Sequence, residues 1–337
     1  MIPTLYLPRG RLGDFERFMR DYDRKRRAGL IPRVIGIALE GPLLASHGGT
    51  PAATVWNPTK RDWERLAVLA ALGLLYTVLS PDAFSAASEL PRSHDAADLE
   101  WIVPMLVGHG LRPALGHFTK ADPVGSAALV ETILDLAEAT PFGGQGARVI
   151  TDHLFNDMPL RIRQAFRTTR ARRDREQTLR SYDLPHWRLG DMTEIVGPVP
   201  SAIMRGAAAG HLSACLNFDG EHVDLAIATR AAELMGFANT MVMTDRCDSA
   251  RLGGQSLHRV DENSLWYQSN GVVAAGSQPL DRQMQNARSC SISEDDTWSL
   301  AAATAYSAFG FETDPAGGGF VHRENGQRSA VTSAWAE

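Results

Sequence analysis

The chain has 337 residues, 22% of them charged, with a formal net charge of −5, a composition suited to one large α/β domain or two smaller ones. Mild acidity argues against general affinity for nucleic acid or anionic membrane. No apolar stretch approaches the ~20 residues of a membrane span, and no signal segment opens the chain. Cys215, Cys247 and Cys290 are odd in number and far apart, which suits reduced thiols in a cytoplasmic protein.

In chain order, short apolar runs alternate with amphipathic ones. TLYL (4–7) precedes a charged helix ending at Gly29, and VIGIAL (34–39) precedes a helix around KRDWERLAVLAALG. LLYTVLS (74–80) is followed by a helix around DAADLEWIVPMLVGHG, whose Pro104 predicts a kink or a restart. RPALGH (112–117), the helix PVGSAALVETILDLAEA and ARVITDH (147–153) come next. After a long polar stretch come HLSACLNFDG (211–220), the helix HVDLAIATRAAELMG and NTMVMTD (239–245). Continuous apolar strands separated by amphipathic helices predict a parallel sheet packed with helices.

Five of the last six strands end on a side chain able to do chemistry: Glu40, His117, Asp152 with His153, Asp219 and Asp245. The remaining one, LLYTVLS, runs into Pro81-Asp82. Functional groups at successive strand ends favour a (β/α)8 TIM-type barrel over an open doubly wound sheet, whose ligands gather near one crevice. Seven strand candidates are one short of the eight that a closed barrel needs.

Residues 161–180 concentrate Arg161, Arg163, Arg167, Arg170, Arg172, Arg173, Arg175 and Arg180. A solvated face is the plain reading of such a run, and a lid or subunit contact facing an anion is the sharper one. Residues 313–337 form a polar tail containing GGGF, where loose packing is expected.

Glu40, His117 and His153 offer one oxygen and two nitrogens, a set suited to one divalent ion with a position left for water. Zinc lowers the pKa of such a water to ~7, and a carboxylate must then carry its proton, a task for Asp245. His222, in DGEHVD, could orient a substrate hydroxyl or anion. A lone histidine is commonly a core residue, and a terminal aspartate commonly a helix cap. The recurrence of such groups at equivalent places on separate strands is what points to a site.

LEGP (39–42), ALGHF (114–118), DHLFNDMP (152–159), FDGEHVD (218–224), VMTD (242–245) and AAGSQPL (274–280) together resemble the ordered signature of the N-acetylglucosamine-6-phosphate deacetylases of the amidohydrolase superfamily. PDAF after LLYTVLS resembles that family's Pro-Glu. The resemblance implies a distorted barrel and metal-dependent hydrolysis of an N-acetyl amide. It implies Glu40, His117 and His153 as metal ligands, Asp245 as acid/base, and His222 and Asn156 as substrate contacts. Asp219 joins this substrate-binding group as the strand end preceding His222.

The chain also departs from that pattern. It lacks the His-x-His of a first barrel strand, so one metal is expected, and the family's first strand and β-sandwich are expected to be missing. The gap would be covered by the tail or by a partner chain. GGTPAAT stands where the family has Gly-Ala-His, leaving His47 as the substitute for that histidine. An insertion at about 160–196 replaces a short loop whose arginine reaches phosphate in a neighbouring subunit, consistent with a homodimer. The expected barrel covers 1–312, and the expected substrate is a small acetamido compound, anionic or phosphorylated. Deamination, cyclic-amide hydrolysis and a non-catalytic binding barrel are the alternatives.

Overall fold

The computed structural model describes residues 1–90 and 96–311 in full, and the backbone of 312–313, 320–324 and 327–331. The sheet begins with β1 (Thr4–Leu5), followed by α1 (Leu12–Arg27), β2 (Ile37–Leu39), α2 (Lys60–Ala67), β3 (Leu74–Leu79) and α3 (Leu99–Gly108). Next come β4 (Arg112–Leu115), α4 (Pro123–Ala139) and β5 (Ile150–His153). The insertion contributes α5 (Thr169–Arg173), α6 (Arg175–Tyr182) and α7 (Met192–Ile195). Then α8 (Pro198–Ala208), β6 (Ser213–Leu216), α9 (Leu225–Met235) and β7 (Thr240–Val242) complete the alternation. All seven predicted strands lie in one parallel sheet, ordered β1 to β7 as in the chain. The sheet is curled like a TIM-type barrel, and among the described residues no ladder joins β7 to β1.

Side-chain alternation explains the two cores. Ile37 and Leu39 face the helices, within a large cluster that includes Trp63, Ile102, Ile133 and Ile203. Ala38 between them faces inward with Tyr76, Val78, Ala114, Ile150, Cys215 and Met241. Side-chain caps start the helices. Thr59 and Asp62 form a capping box on α2, and Asp98, Asp122 and Asp224 accept from the first turns of α3, α4 and α9. Pro104 sits within α3, which runs as one α-helical segment.

Beyond β7 the chain forms two short hairpins, β8 (Arg251–Leu252) with β9 (Gln255–Ser256), and β10 (Trp266–Tyr267) with β11 (Val273–Ala275). Gly276, after β11, continues the sheet beside β7. It bridges Arg246 in parallel and donates to the Asp245 carbonyl at 2.6 Å. On its other side this segment reaches the loop after β2, where Gln268 Nε2 donates to the Gly49 carbonyl at 2.6 Å. Helices α10 (Leu280–Ser289) and α11 (Glu294–Trp298), a π-turn at Ser299–Ala303 and α12 (Thr304–Ala308) follow. Phe309 and Phe311 then enter the inner core, with the Phe309 ring 6.0 Å from that of Tyr76.

In the expected tail, β12 (Glu312–Thr313), β13 (Phe320–Glu324) and β14 (Gln327–Val331) pair antiparallel. Residues 314–319, 325–326 and 332–337 of that tail lie outside the described residues. The arginine-rich insertion is tied to the loop after β6. Arg167 Nε donates to the Glu221 carbonyl at 2.8 Å and Nη2 to that of His222 at 3.3 Å, while Arg175 grips the Asp224 carboxylate at 2.5 and 2.8 Å.

Candidate active site

The strand ends bring the chemistry-bearing residues to one end of the sheet. Register places β1 and β2 level, because Leu5 pairs with Leu39 and the Glu40 N–H donates to the Leu5 carbonyl at 3.0 Å. Glu40 therefore leaves β2 beside Tyr6 leaving β1. His117 follows β4 in left-handed backbone (φ 56°), a conformation that a non-glycine residue holds only when its surroundings impose it. Asp152 and His153 close β5, where the ladder to β6 shifts register.

His117 stands at the centre of a buried group. Its Nε2 lies 3.4 Å from Glu40 Oε1 and 3.3 Å from Asp152 Oδ2, and His153 Nε2 lies 3.4 Å from the same Asp152 oxygen. One donor atom each from His117, Asp152 and His153 falls within 4.8 Å of the others. His117 Nε2, Asp152 Oδ2 and His153 Nδ1 are buried with no hydrogen-bond partner. Buried polar atoms are normally satisfied, so His117 Nε2 and Asp152 Oδ2, left bare with His153 Nε2 beside them, fit a cation. Two imidazoles with carboxylates suit zinc or a similar divalent ion.

The Glu40 carboxylate also accepts from the Thr50 hydroxyl. The Tyr6 phenol is held up in pKa by burial and by Glu40, Asp245 and Asp152 around it. Burial works to lower the His117 pKa, but Asp152, Asp157 and Glu40 outweigh it and raise it well above the ordinary value. Asp152, whose burial favours the neutral acid, is held low by His153 and His117.

A second group adjoins the first. His222 is buried between two carboxylates, with Nδ1 2.5 Å from Asp219 Oδ2 and Nε2 3.2 Å from Asp245 Oδ2. Asp219 is fixed by the backbone N–H groups of Glu221 and His222 at 2.9 and 2.8 Å. Burial pushes the Asp245 carboxyl up, partly offset by His222. Asp245 is thus a buried carboxyl of raised proton affinity, beside a histidine that Asp219 keeps charged.

The remaining expected residues lie at the rim or behind the site. Asn156 is buried, and its Nδ2 donates to Asn217 Oδ1 at 3.4 Å. His47 lies on the loop after β2, with Nε2 3.8 Å from Glu89. Asp82, at the end of β3, spends Oδ2 on the Thr119 N–H and hydroxyl and on Ser126 Oγ, bracing the start of α4. Asp152 stands among the expected strand ends but carries no expected ligand role, and Tyr6, Thr50 and Asp157 are absent from the expected set. Tyr6 lies within the run TLYL, which the structure ends at Leu5, whereas Thr50 and Asp157 sit in loops.

No family model and no curated protein matches this chain. Among solved structures, N-acetylglucosamine-6-phosphate deacetylase from Pasteurella multocida superposes with a TM-score of 0.63 at 15% identity, covering 98% of this chain and 74% of that one. A variant of the Mycobacterium smegmatis N-acetyl-D-glucosamine-6-phosphate deacetylase, in complex with N-acetyl-D-glucosamine-6-phosphate, also gives 0.63, at 16% identity and with 98% and 76% covered. The Thermotoga maritima deacetylase gives 0.58 at 12% identity, with 91% and 68% covered. At these identities the likeness is one of fold.

Proposed function

We propose that the chain is a metal-dependent amidohydrolase that removes the acetyl group from a small acetamido compound, an amino sugar or its phosphate ester. The observation that carries this reading is the convergence of possible ligand atoms from His117, Asp152 and His153, with Glu40 beside them, next to the Asp245–His222 pair at the same sheet end. His117, His153 and the carboxylates of Glu40 and Asp152 would hold the ion. When bound, a divalent ion supplies Lewis acidity and makes water acidic enough to attack near neutral pH.

The chain's own residues then move the proton. Asp245 accepts it from the attacking water and delivers it to the departing amine. His222, charged and anchored by Asp219 through Nδ1, orients Asp245 through its Nε2. The deacetylase neighbours support the acetamide as substrate. An anionic substituent is in keeping with the basic insertion, where Arg163, Gln164 and Thr168 line an open hollow of about 240 Å³.

The test is acetate release from N-acetyl-D-glucosamine-6-phosphate and from N-acetyl-D-glucosamine by the zinc-loaded chain. Asp245→Asn should lower turnover ~10²–10⁴-fold while zinc content stays at the wild-type level. His153→Ala should lose the ion itself. Ammonia release without acetate, or an Asp245→Asn variant as active as wild type, would reject the deacetylase reading.

A further inference from the structure

The other side of the His117 ring, away from Glu40 and Asp152, faces a third carboxylate. Its Nδ1 is 3.1 Å from the Ser46 carbonyl and 3.1 Å from Asp157 Oδ2. Nδ1 hydrogen-bonds the Ser46 carbonyl, and Asp157 Oδ2 lies beside it, buried and with no hydrogen-bond partner of its own. Ser46 grips His117 from both ends, because its N–H donates to the His117 carbonyl at 3.1 Å. Its hydroxyl donates to Asp157 Oδ1 at 3.3 Å, and Lys120 Nζ lies 3.4 Å from that oxygen. The Asp157 carbonyl accepts from the Phe118 N–H at 2.9 Å, so the chain on either side is locked as well.

Gly48 shows how closely the loop after β2 is fitted to this pair. A Cβ on Gly48 would stand 2.6 Å from Asp157 Oδ2 and 3.3 Å from His117 Nδ1, and its φ is +51°. Asp157 is itself in left-handed backbone, at φ 40°. The structure spends two unusual backbone positions on bringing a carboxylate against the back of one imidazole.

We infer that Asp157 is a positioning residue that keeps the proton of His117 on Nδ1 and turns the Nε2 lone pair toward the possible ligand atoms of Asp152 and His153. This rests on the reading that His117 holds a divalent ion. A carboxylate behind a ligating imidazole fixes ring orientation and tautomer and raises ligand basicity. The stretch Ser46-His47-Gly48-Gly49 then serves as a clamp passing over the Asp157–His117 pair, with Gly48 small enough to let it through.

The experiment measures zinc affinity of the full chain by chelator competition, with the visible spectrum of the cobalt(II)-loaded chain and the melting temperature of the metal-free chain beside it. Asp157→Asn keeps the left-handed backbone and removes the charge. It should weaken zinc binding roughly 10–100-fold and shift the cobalt spectrum, with the metal-free chain still melting in one cooperative transition. Gly48→Ala, which drives a methyl against the same carboxylate, should weaken zinc binding in the same sense. Zinc affinity in Asp157→Asn within about threefold of wild type, against the 10–100-fold expected of such a partner, overturns the inference while leaving the metal site intact. A wild-type chain that binds no zinc overturns both.

Discussion

His222 is enclosed between Asp219 and Asp245, and its charge makes stability depend on pH. Burial alone would lower its pKa, but Asp219 first and Asp245 second push it up to about 10, from an ordinary value of 6.5. A raised folded-state value means the charged ring contributes fully below pH 6.5, and the contribution fades as pH rises through 10. His222→Gln should therefore cost about 3 kcal/mol near pH 6 and markedly less near pH 10, read from urea unfolding of both proteins across that range. A cost that is flat with pH would mean the ring is neutral in the folded chain. At this scale, sequence reading finds groups that end strands, because a strand end fixes where a side chain goes. His117, His153, Asp245 and Asp152 stand out for that reason. Asp157 is invisible because nothing local says that a loop residue will fold back against His117, and Thr50 meets Glu40 only through the course of the loop between them.

The strands were legible as elements because apolar runs bounded by turn residues suit a sheet covered on its outer face and filled on its inner one. What ties their far ends together was not. Arg112 opens β4 and is 3% exposed, and its hydrogen bonds among the described residues all go to backbone carbonyls. Nε donates to Ala147 and Ala308 at 2.9 and 3.2 Å, Nη1 to Leu75 and Gly110 at 3.4 Å each, and Nη2 to Gln145. Its guanidinium also lies 5.2 Å from the Phe142 ring and 5.3 Å from that of Phe309. Burial lowers its pKa to about 10, so it stays charged at neutral pH. Read alone, an arginine opening RPAL looks like an ordinary solvent-facing residue. Arg112→Met should strip donors from buried carbonyls and cost about 3 kcal/mol in urea unfolding. Arg112→Lys should recover only part of this, since an ammonium cannot span the same acceptors.

Among the described residues no ladder joins β7 to β1, and the chain covers that side with its own later segments. At the strand-end face, the stretch from Gln268 to Gly276 spans from β7 to the loop after β2. Contact there is close enough that a Cβ on Gly49 would stand 2.4 Å from the Val273 carbonyl oxygen and 2.7 Å from Ala274 Cα. Gly49→Ala should loosen that span. Limited proteolysis should then cut faster within residues 250–272, with the helical content by circular dichroism unchanged. Equal cutting rates would mean the span is held elsewhere. The seven strands could be counted from the sequence, but this covering could not, since hairpins that cross an opening carry no periodic pattern of their own.

The sheet order has a further consequence for how the molecule is made. Each strand pairs with the one synthesised just before it, so the sheet can grow as the polypeptide lengthens from its N-terminus. Phe309 and Phe311 cannot join it until about 300 residues have emerged. The strand ends bearing Glu40, His117, His153 and Asp245 are therefore laid down first, and the floor of the vessel is sealed last, on the side away from the chemistry.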